Sequence, residues 1–138
     1  MKNVLVICTG NSCRSQMAHG YLNFYCSNKY NIYSAGIEVH GLNSMAVEVM
    51  MDDGIDISMY TSNNIQEYKS INFDIIITVC DHANENCPFI PSINSVRIHQ
   101  NFTDPSKYNT SPEEKRKKFV LVRDEIKKFC INFFNDNF

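Results

Sequence analysis

No stretch of the 138-residue chain reaches the ~18 consecutive apolar residues of a membrane span, although 43% of its residues are hydrophobic. A soluble protein with an ordinary apolar core, and no membrane partner, is the expectation. A secretory leader is lacking too: Met1-Lys2-Asn3 runs straight into Val4-Leu5-Val6-Ile7, too short an apolar run for an h-region, and no small-residue cleavage site follows. The protein is therefore expected in the reducing cytoplasm. There is no basic excess, since the formal net charge is -2, whereas phosphate-backbone binders carry clustered Lys and Arg. That argues against nucleic acid as a partner. The one basic run, Lys115-Arg116-Lys117-Lys118, has Glu113, Glu114, Asp124 and Glu125 beside it and reads as the solvated side of a helix. Repeats, linkers and low-complexity segments are absent, and the length suits one α/β domain of ~100–150 residues, here residues 1–138. A monomer is the expected state.

What is present alternates between two periods. Residues 4–8 form a β-branched and apolar run ended by Thr9-Gly10-Asn11, which reads as a buried strand entering a tight loop. Met17, Tyr21 and Tyr25 then recur at four-residue spacing, with Ala18 and Leu22 alongside, as in a helix burying one stripe. Residues 32–35 are a second strand stopped by Gly36; Ala46, Val47, Met50 and Met51 mark a second helix that Gly54 closes. Residues 73–79 are the strongest strand, and residues 95–99 its successor. Ser111-Pro112-Glu113-Glu114 opens the last helix with an N-cap serine, an early proline and a capping-box glutamate, and Phe119, Val122, Ile126, Phe129 and Phe133 line its buried face. This alternation predicts an α/β fold: a doubly wound, four-stranded parallel sheet with helices on both faces.

The chemistry concentrates at Cys8-Thr9-Gly10-Asn11-Ser12-Cys13-Arg14-Ser15, between a strand end and a helix start. Ligands of such sheets bind at the carboxyl ends of strands, where helix N-termini expose unpaired N–H groups and a positive dipole end. Five residues between cysteine and arginine let the backbone curl around one tetrahedral oxyanion, gripped by successive amides and the forked guanidinium of Arg14. A thiolate, the reactive form of Cys8, suits the same positive field, with Ser12 and Ser15 able to orient the sulfur. Gly10 is expected to supply a backbone conformation other residues resist. A buried structural Cys8 and a surface-paired Arg14 are the bland alternative; the loop's position between strand and capped helix argues against it. Six cysteines in a chain with no export signal point to catalytic, redox or metal roles in place of a disulfide framework. Cys26 and Cys130 fall on apolar helix faces and read as core; His40 and His99 lack charged motifs and read as packed or surface residues.

The segment Cys8-Thr9-Gly10-Asn11-Ser12-Cys13-Arg14-Ser15-Gln16-Met17-Ala18 resembles the opening of thioredoxin-coupled arsenate reductases, a branch of the low-molecular-weight protein tyrosine phosphatase fold. The likeness extends through Tyr33-Ser34-Ala35-Gly36-Ile37-Glu38, Asp56-Ile57-Ser58, Thr78-Val79-Cys80, Cys87-Pro88, Asp104-Pro105 and Val122-Arg123-Asp124-Glu125-Ile126-Lys127. Phosphatases of this fold wall a phenol ring with tyrosines near the aspartate-proline pair, whereas here Ser106-Lys107 follow and only Tyr108 is near. Cys80 and Cys87, in contrast, stand where the reductase branch has its two further cysteines.

The resemblance implies that Cys8 attacks arsenic while Asp104, if protonated, serves as general acid. Cys80 then attacks the Cys8 sulfur, arsenite leaves with two electrons, and Cys87 attacks Cys80 to form a disulfide for thioredoxin, with no cofactor. A zinc site from Cys80, His82 and Cys87 would need a distant fourth ligand and matches no common finger spacing. Cys13 competes with Cys80 as the thiol that pairs with Cys8, and Asp104-Pro105 is by itself a common turn pairing. His19 and Asn63 replace acids that, with Asn11 and Ser34, help hold a monovalent cation in the family, so no metal is expected. Two rival readings are a tyrosine phosphatase and a non-catalytic thiol sensor or oxyanion-binding module.

Overall fold

The computed structural model describes residues 1–86, 92 and 94–137. Four strands, β1 (Lys2–Cys8), β2 (Tyr30–Gly36), β3 (Ile75–Thr78) and β4 (Val96–His99), form one sheet in the order β2-β1-β3-β4. Every pairing is parallel, with Val4 opposite both Ile32 and Ile75, and Ile75 opposite Val96. From β1 the chain moves to one side to form β2, then crosses back to form β3 on the other side. That reversal at β1 makes the sheet doubly wound, and such folds place their ligand crevice outside the carboxyl end of the strand at the switch point. Here that strand ends at Cys8.

Helices α1 (Arg14–Cys26), α2 (Ser44–Asp52) and α4 (Pro112–Asn137) pack against one another, and the short α3 (Asp81–Asn86) lies against β1 and β3. Val4, Leu5, Val6 and Ile7 are all fully buried, as befits a central strand covered on both faces. Beside the sheet Tyr33 meets Phe73 and Tyr68 edge-on, at ring separations of 5.4 Å each. The buried stripe of α4 is Phe119, Val122, Ile126, Cys130 and Phe133; Phe129 packs against it. Cys26 and Cys130 are both core, and burial pushes the Cys26 thiol up to about 11.

Several local expectations need correction. The buried face of α2 is Ala46, Val49 and Met50, while Met51 is 49% exposed; the helix turns one position away from the face first assigned. Asn43 caps that helix by accepting from the Met45 and Ala46 amides, and Gly54 closes it at φ +80°. The paired strand after residue 73 spans only Ile75–Thr78, shorter than its apolar run, and Asp74 just before it accepts from the Asn3 amide. Strand β4 is an edge, with Val96 58% exposed. At α4, Ser111 Oγ accepts from the Glu114 amide at 3.3 Å as a serine cap should. Arg116 in the basic run pairs with Asp52 of α2.

Candidate active site

The loop after β1 is held from outside by its carbonyls. Cys8 O accepts from Ile37 N at 3.3 Å, Thr9 O from Glu38 N at 2.9 Å, Gly10 O from His40 N at 3.0 Å and Ser12 O from Asn43 N at 3.0 Å. Asn11 O accepts from Gln16 Nε2 at 3.0 Å, and Cys13 O from Met17 N at 2.9 Å. With every carbonyl from 8 to 13 turned toward a donor in the surrounding shell, the loop is free to turn amides inward, the nest arrangement that binds anions. Asn11 supplies the left-handed residue of this curl at φ +48°, and its side chain is locked at both ends: Oδ1 accepts from Asn63 N at 2.8 Å, and Nδ2 donates to Ser15 Oγ at 2.7 Å. Gly10 is required for another reason than the one expected. Its φ is not positive; a Cβ there would lie 2.2 Å from the His40 ring.

Inside the curl is a cavity of about 160 Å³ lined by Cys8, Thr9, Gly10, Ser12, Cys13, Arg14, His40, Asp104, Ser106 and Lys107. Ser15 Oγ lies 2.9 Å from Cys8 Sγ, so Ser15 orients the sulfur; Ser12 contributes its carbonyl to Asn43. Arg14 NH1 donates to Phe102 O at 3.1 Å and NH2 approaches Asp104 at 3.5 Å, while its buried Nε finds no acceptor among the described residues. A guanidinium fixed on two sides, with a third donor unused, is built to receive an oxyanion. The arginine is therefore not surface-paired: it is 8% exposed.

Asp104 plays two parts at once. It caps the 3-10 turn Pro105–Lys107 through the Ser106 amide at 3.0 Å and hydroxyl at 2.6 Å, and it faces Arg14 across the cavity. Burial pushes its carboxyl up, but the Ser106 hydrogen bonds and the Arg14 charge outweigh burial and hold it below the usual carboxylate range. At rest Asp104 is a carboxylate, so a proton must come to it before it can act as an acid. Cys13 donates to the same carboxylate at 3.6 Å, and burial, then the charges of Asp104 and Cys8, push its thiol strongly up. Cys13 is thus kept protonated, which disfavours it as an attacking sulfur beside Cys8.

Cys80, 2% exposed, follows β3 at the same sheet end as the loop, with Thr9 Oγ1 3.3 Å from its sulfur. Cys87 lies outside the described residues. His40 and Lys107 were not foreseen as cavity residues. The available signal was the sheet itself: Gly36 pairs with Cys8, so residues just beyond Gly36 must pass the loop. Nor are the histidines without charged neighbours. His40 Nε2 is 2.6 Å from Glu38 and His99 Nε2 is 2.7 Å from Asp81. Tyr108 turns its ring under Lys118, at 4.9 Å, and does not line the cavity.

The residues at the suspected cation position do not fit a hard cation. His19 Nδ1 is 2.8 Å from Ser34 Oγ, Asn11 Oδ1 is taken by Asn63 N, and Asn63 Oδ1 by Thr61 Oγ1. Burial lowers His19 to about 4, so its ring is neutral near pH 7. The sign of its linkage follows. The stability that goes with a neutral His19 is complete above its ordinary value of 6.5 and is lost as pH falls toward 4, because only the unfolded chain takes the proton. Urea unfolding at pH 5 should show at most about 2 kcal/mol less stability than at pH 7 from this group. A His19→Gln variant should lose that part of the pH dependence; an identical pH slope would remove His19 as its source.

The model of the family "Low molecular weight phosphotyrosine protein phosphatase" matches residues 3–137. The arsenate reductase of Halalkalibacterium halodurans is 47% identical over 127 residues, 92% of this chain and 91% of that protein. That of Bacillus subtilis is 46% identical over 125 residues, 91% and 89% of the two chains. A solved arsenate reductase in its oxidized state is similar at TM-score 0.83 and 28% identity, covering 99% of this chain and 98% of the other. Vibrio vulnificus Wzb in complex with benzylphosphonate, at TM-score 0.80 and 22% identity over 98% of each chain, shares the fold. With the loop, the strand order and these likenesses together, the chain belongs to the low molecular weight phosphotyrosine protein phosphatase family.

Proposed function

We propose that this protein is an arsenate reductase that converts arsenate to arsenite through three cysteines, Cys8, Cys80 and Cys87. The observation that carries the reading is the placement of Cys80: a further buried thiol lies 3.3 Å from the Thr9 hydroxyl of an oxyanion cradle already equipped with a nucleophile. A phosphatase needs no such sulfur. Among the described residues the cavity lining has no tyrosine or phenylalanine to seat a phenol ring, and Ser106 and Lys107 follow the aspartate-proline pair there.

In this reading the loop amides and Arg14 hold arsenate, and the Cys8 thiolate displaces one hydroxyl to form a thiol-arsenate. Asp104 takes up a proton brought by the oxyanion, whose negative charge offsets Arg14, and gives it to the departing hydroxyl, which leaves as water. Cys80 then attacks the Cys8 sulfur. The sulfur–arsenic bond breaks, its electron pair stays on arsenic as arsenic(V) becomes arsenic(III), and a Cys8–Cys80 disulfide remains. Cys87 exchanges into it, freeing Cys8, and thioredoxin reduces the Cys80–Cys87 disulfide. No metal or bound cofactor enters this balance. A reducing cytoplasm is the compartment such a cycle requires. Among the described residues no helix is long and apolar enough to cross a membrane.

The test is a coupled assay. With thioredoxin, thioredoxin reductase and NADPH, arsenate should drive NADPH oxidation; efficient hydrolysis of aryl phosphates with no NADPH oxidation would favour a phosphatase, and neither activity a sensor. The helix α3 adds a conformational expectation. Six helical residues at ~1.5 Å rise span about 9 Å, yet a disulfide needs its α-carbons within roughly 7 Å. Joining Cys80 to Cys87 should therefore unwind Asp81–Asn86, a segment rich in the aspartate and asparagine that prefer turns. Amide exchange across residues 80–90 should speed up after one equivalent of arsenate without thioredoxin. Unchanged protection, with the disulfide confirmed by mass spectrometry, would refute the unwinding. Cys87→Ser should complete one reduction and stop as a Cys8–Cys80 disulfide.

A further inference from the structure

Cys80 is nearly inaccessible to water, so the proton it must lose before attacking Cys8 needs a path of its own. The structure offers one. Thr9 Oγ1 stands 3.3 Å from Cys80 Sγ and 3.2 Å from His82 Nδ1, a single hydroxyl bridging a buried thiol and an exposed imidazole. We propose that His82 is the proton acceptor for Cys80, acting through Thr9. This rests on the arsenate reductase reading for the step it serves.

The polarity is consistent from end to end. With His82 protonated on Nε2, Nδ1 accepts from the Thr9 hydroxyl, whose oxygen in turn accepts from the Cys80 thiol. Transfer moves two protons in concert: Cys80 S–H to Thr9 oxygen, and Thr9 O–H to His82 Nδ1. The products are a Cys80 thiolate, an intact Thr9 hydroxyl and a His82 imidazolium. The Ala83 amide, 3.4 Å from Cys80 Sγ, is a donor placed to hold the sulfur anion that results. The thiolate pair forms the bond to Cys8 sulfur as the sulfur–arsenic bond breaks, and the imidazolium releases its proton to solvent.

Position separates His82 from the other histidines. His99 is taken up by Asp81 and by Thr78 Oγ1 at 2.7 Å each, His40 by Glu38, and His19 by Ser34. His82 alone among them reaches, through one hydroxyl, the cysteine that attacks Cys8 in the proposed cycle. It touches no reacting atom itself, so it is a positioning residue. Thr9 also lines the oxyanion cavity, and for that reason the test is made at His82.

The experiment compares wild type, His82→Ala and His82→Asn on a Cys87→Ser background. In one turnover with arsenate, the Cys8–Cys80 disulfide should form about 100-fold more slowly in both His82 variants, the usual scale for a displaced proton acceptor. Phosphate binding at the loop should stay the same. Added imidazole should restore much of the rate to His82→Ala, an effect that a merely structural role would not show. In parallel, alkylation of Cys80 by iodoacetamide without arsenate, followed by mass spectrometry, should slow in the same order. Equal rates in all three proteins by both readouts would overturn the proposal while leaving arsenate reduction standing. A His82-dependent alkylation in a protein that does not reduce arsenate would keep the relay and remove its place in that cycle. Slowing without imidazole rescue would assign His82 a structural role and also overturn the proposal.

Discussion

Cys8→Ser is expected to abolish arsenate turnover and any hydrolysis of aryl phosphates, a loss of more than roughly 1,000-fold, the order found when a nucleophile is removed from a preorganised site. The reason lies in the atom, not the cradle. A serine hydroxyl has no anionic form comparable to the thiolate near neutral pH, and Ser15, which stands 2.9 Å from the Cys8 sulfur, would meet only another hydroxyl. The amides of residues 9–13 and the Arg14 guanidinium remain, fixed by the Ile37, Glu38, His40 and Asn43 contacts and by Phe102. Phosphate affinity measured by calorimetry should therefore change little while kcat collapses. Substantial turnover by Cys8→Ser would take Cys8 out of the nucleophile role; loss of phosphate binding together with activity would mean that the sulfur also shapes the cradle.

Asp104→Asn should slow the chemical step by about 100-fold, the usual contribution of a positioned proton donor. The substitution keeps the size of the side chain and an oxygen for the Ser106 cap, but the amide has no proton to give and no charge to set against Arg14. Because Asp104 rests as a carboxylate, its removal also frees Arg14 from a competing anion. Oxyanion affinity is thus expected to hold or rise as the rate falls, a split that misfolding would not give. Single-turnover rates equal to wild type would assign the proton to water or another residue.

The loop was legible in the sequence because its parts are contiguous: a buried strand, five residues and an arginine opening a helix. A four-stranded parallel sheet followed from the same alternation of periods, while the order of its strands came from the structure. The outer wall of the cavity was not legible. His40 comes from a distant segment, and nothing local in its stretch marks it as a neighbour of Cys8; the pairing of Gly36 with Cys8 brings it in, whereas Lys107 enters with the turn that Asp104 caps. The reason for Gly10 was likewise hidden, since a clash with His40 is a tertiary fact while the positive φ belongs to Asn11. The face of α2 was misjudged by one position because Val47, Val49, Met50 and Met51 are all apolar, and composition alone cannot choose among them. Asp104 shows the opposite case. Its bland reading as a turn cap and its functional reading as a site acid are both met by one carboxylate.

The central claim is that arsenic is reduced by this chain's own thiols, with Cys8 as the point of attack. It is tested most directly by mixing fully reduced protein with one equivalent of arsenate, with no thioredoxin or other reductant, then measuring arsenite by speciation chromatography and the disulfides by peptide mass spectrometry. The account predicts one arsenite per protein molecule and one disulfide, Cys80–Cys87 in wild type and Cys8–Cys80 in Cys87→Ser. Arsenate recovered unchanged with all six thiols free, or arsenite formed with Cys80 still reduced, would contradict it.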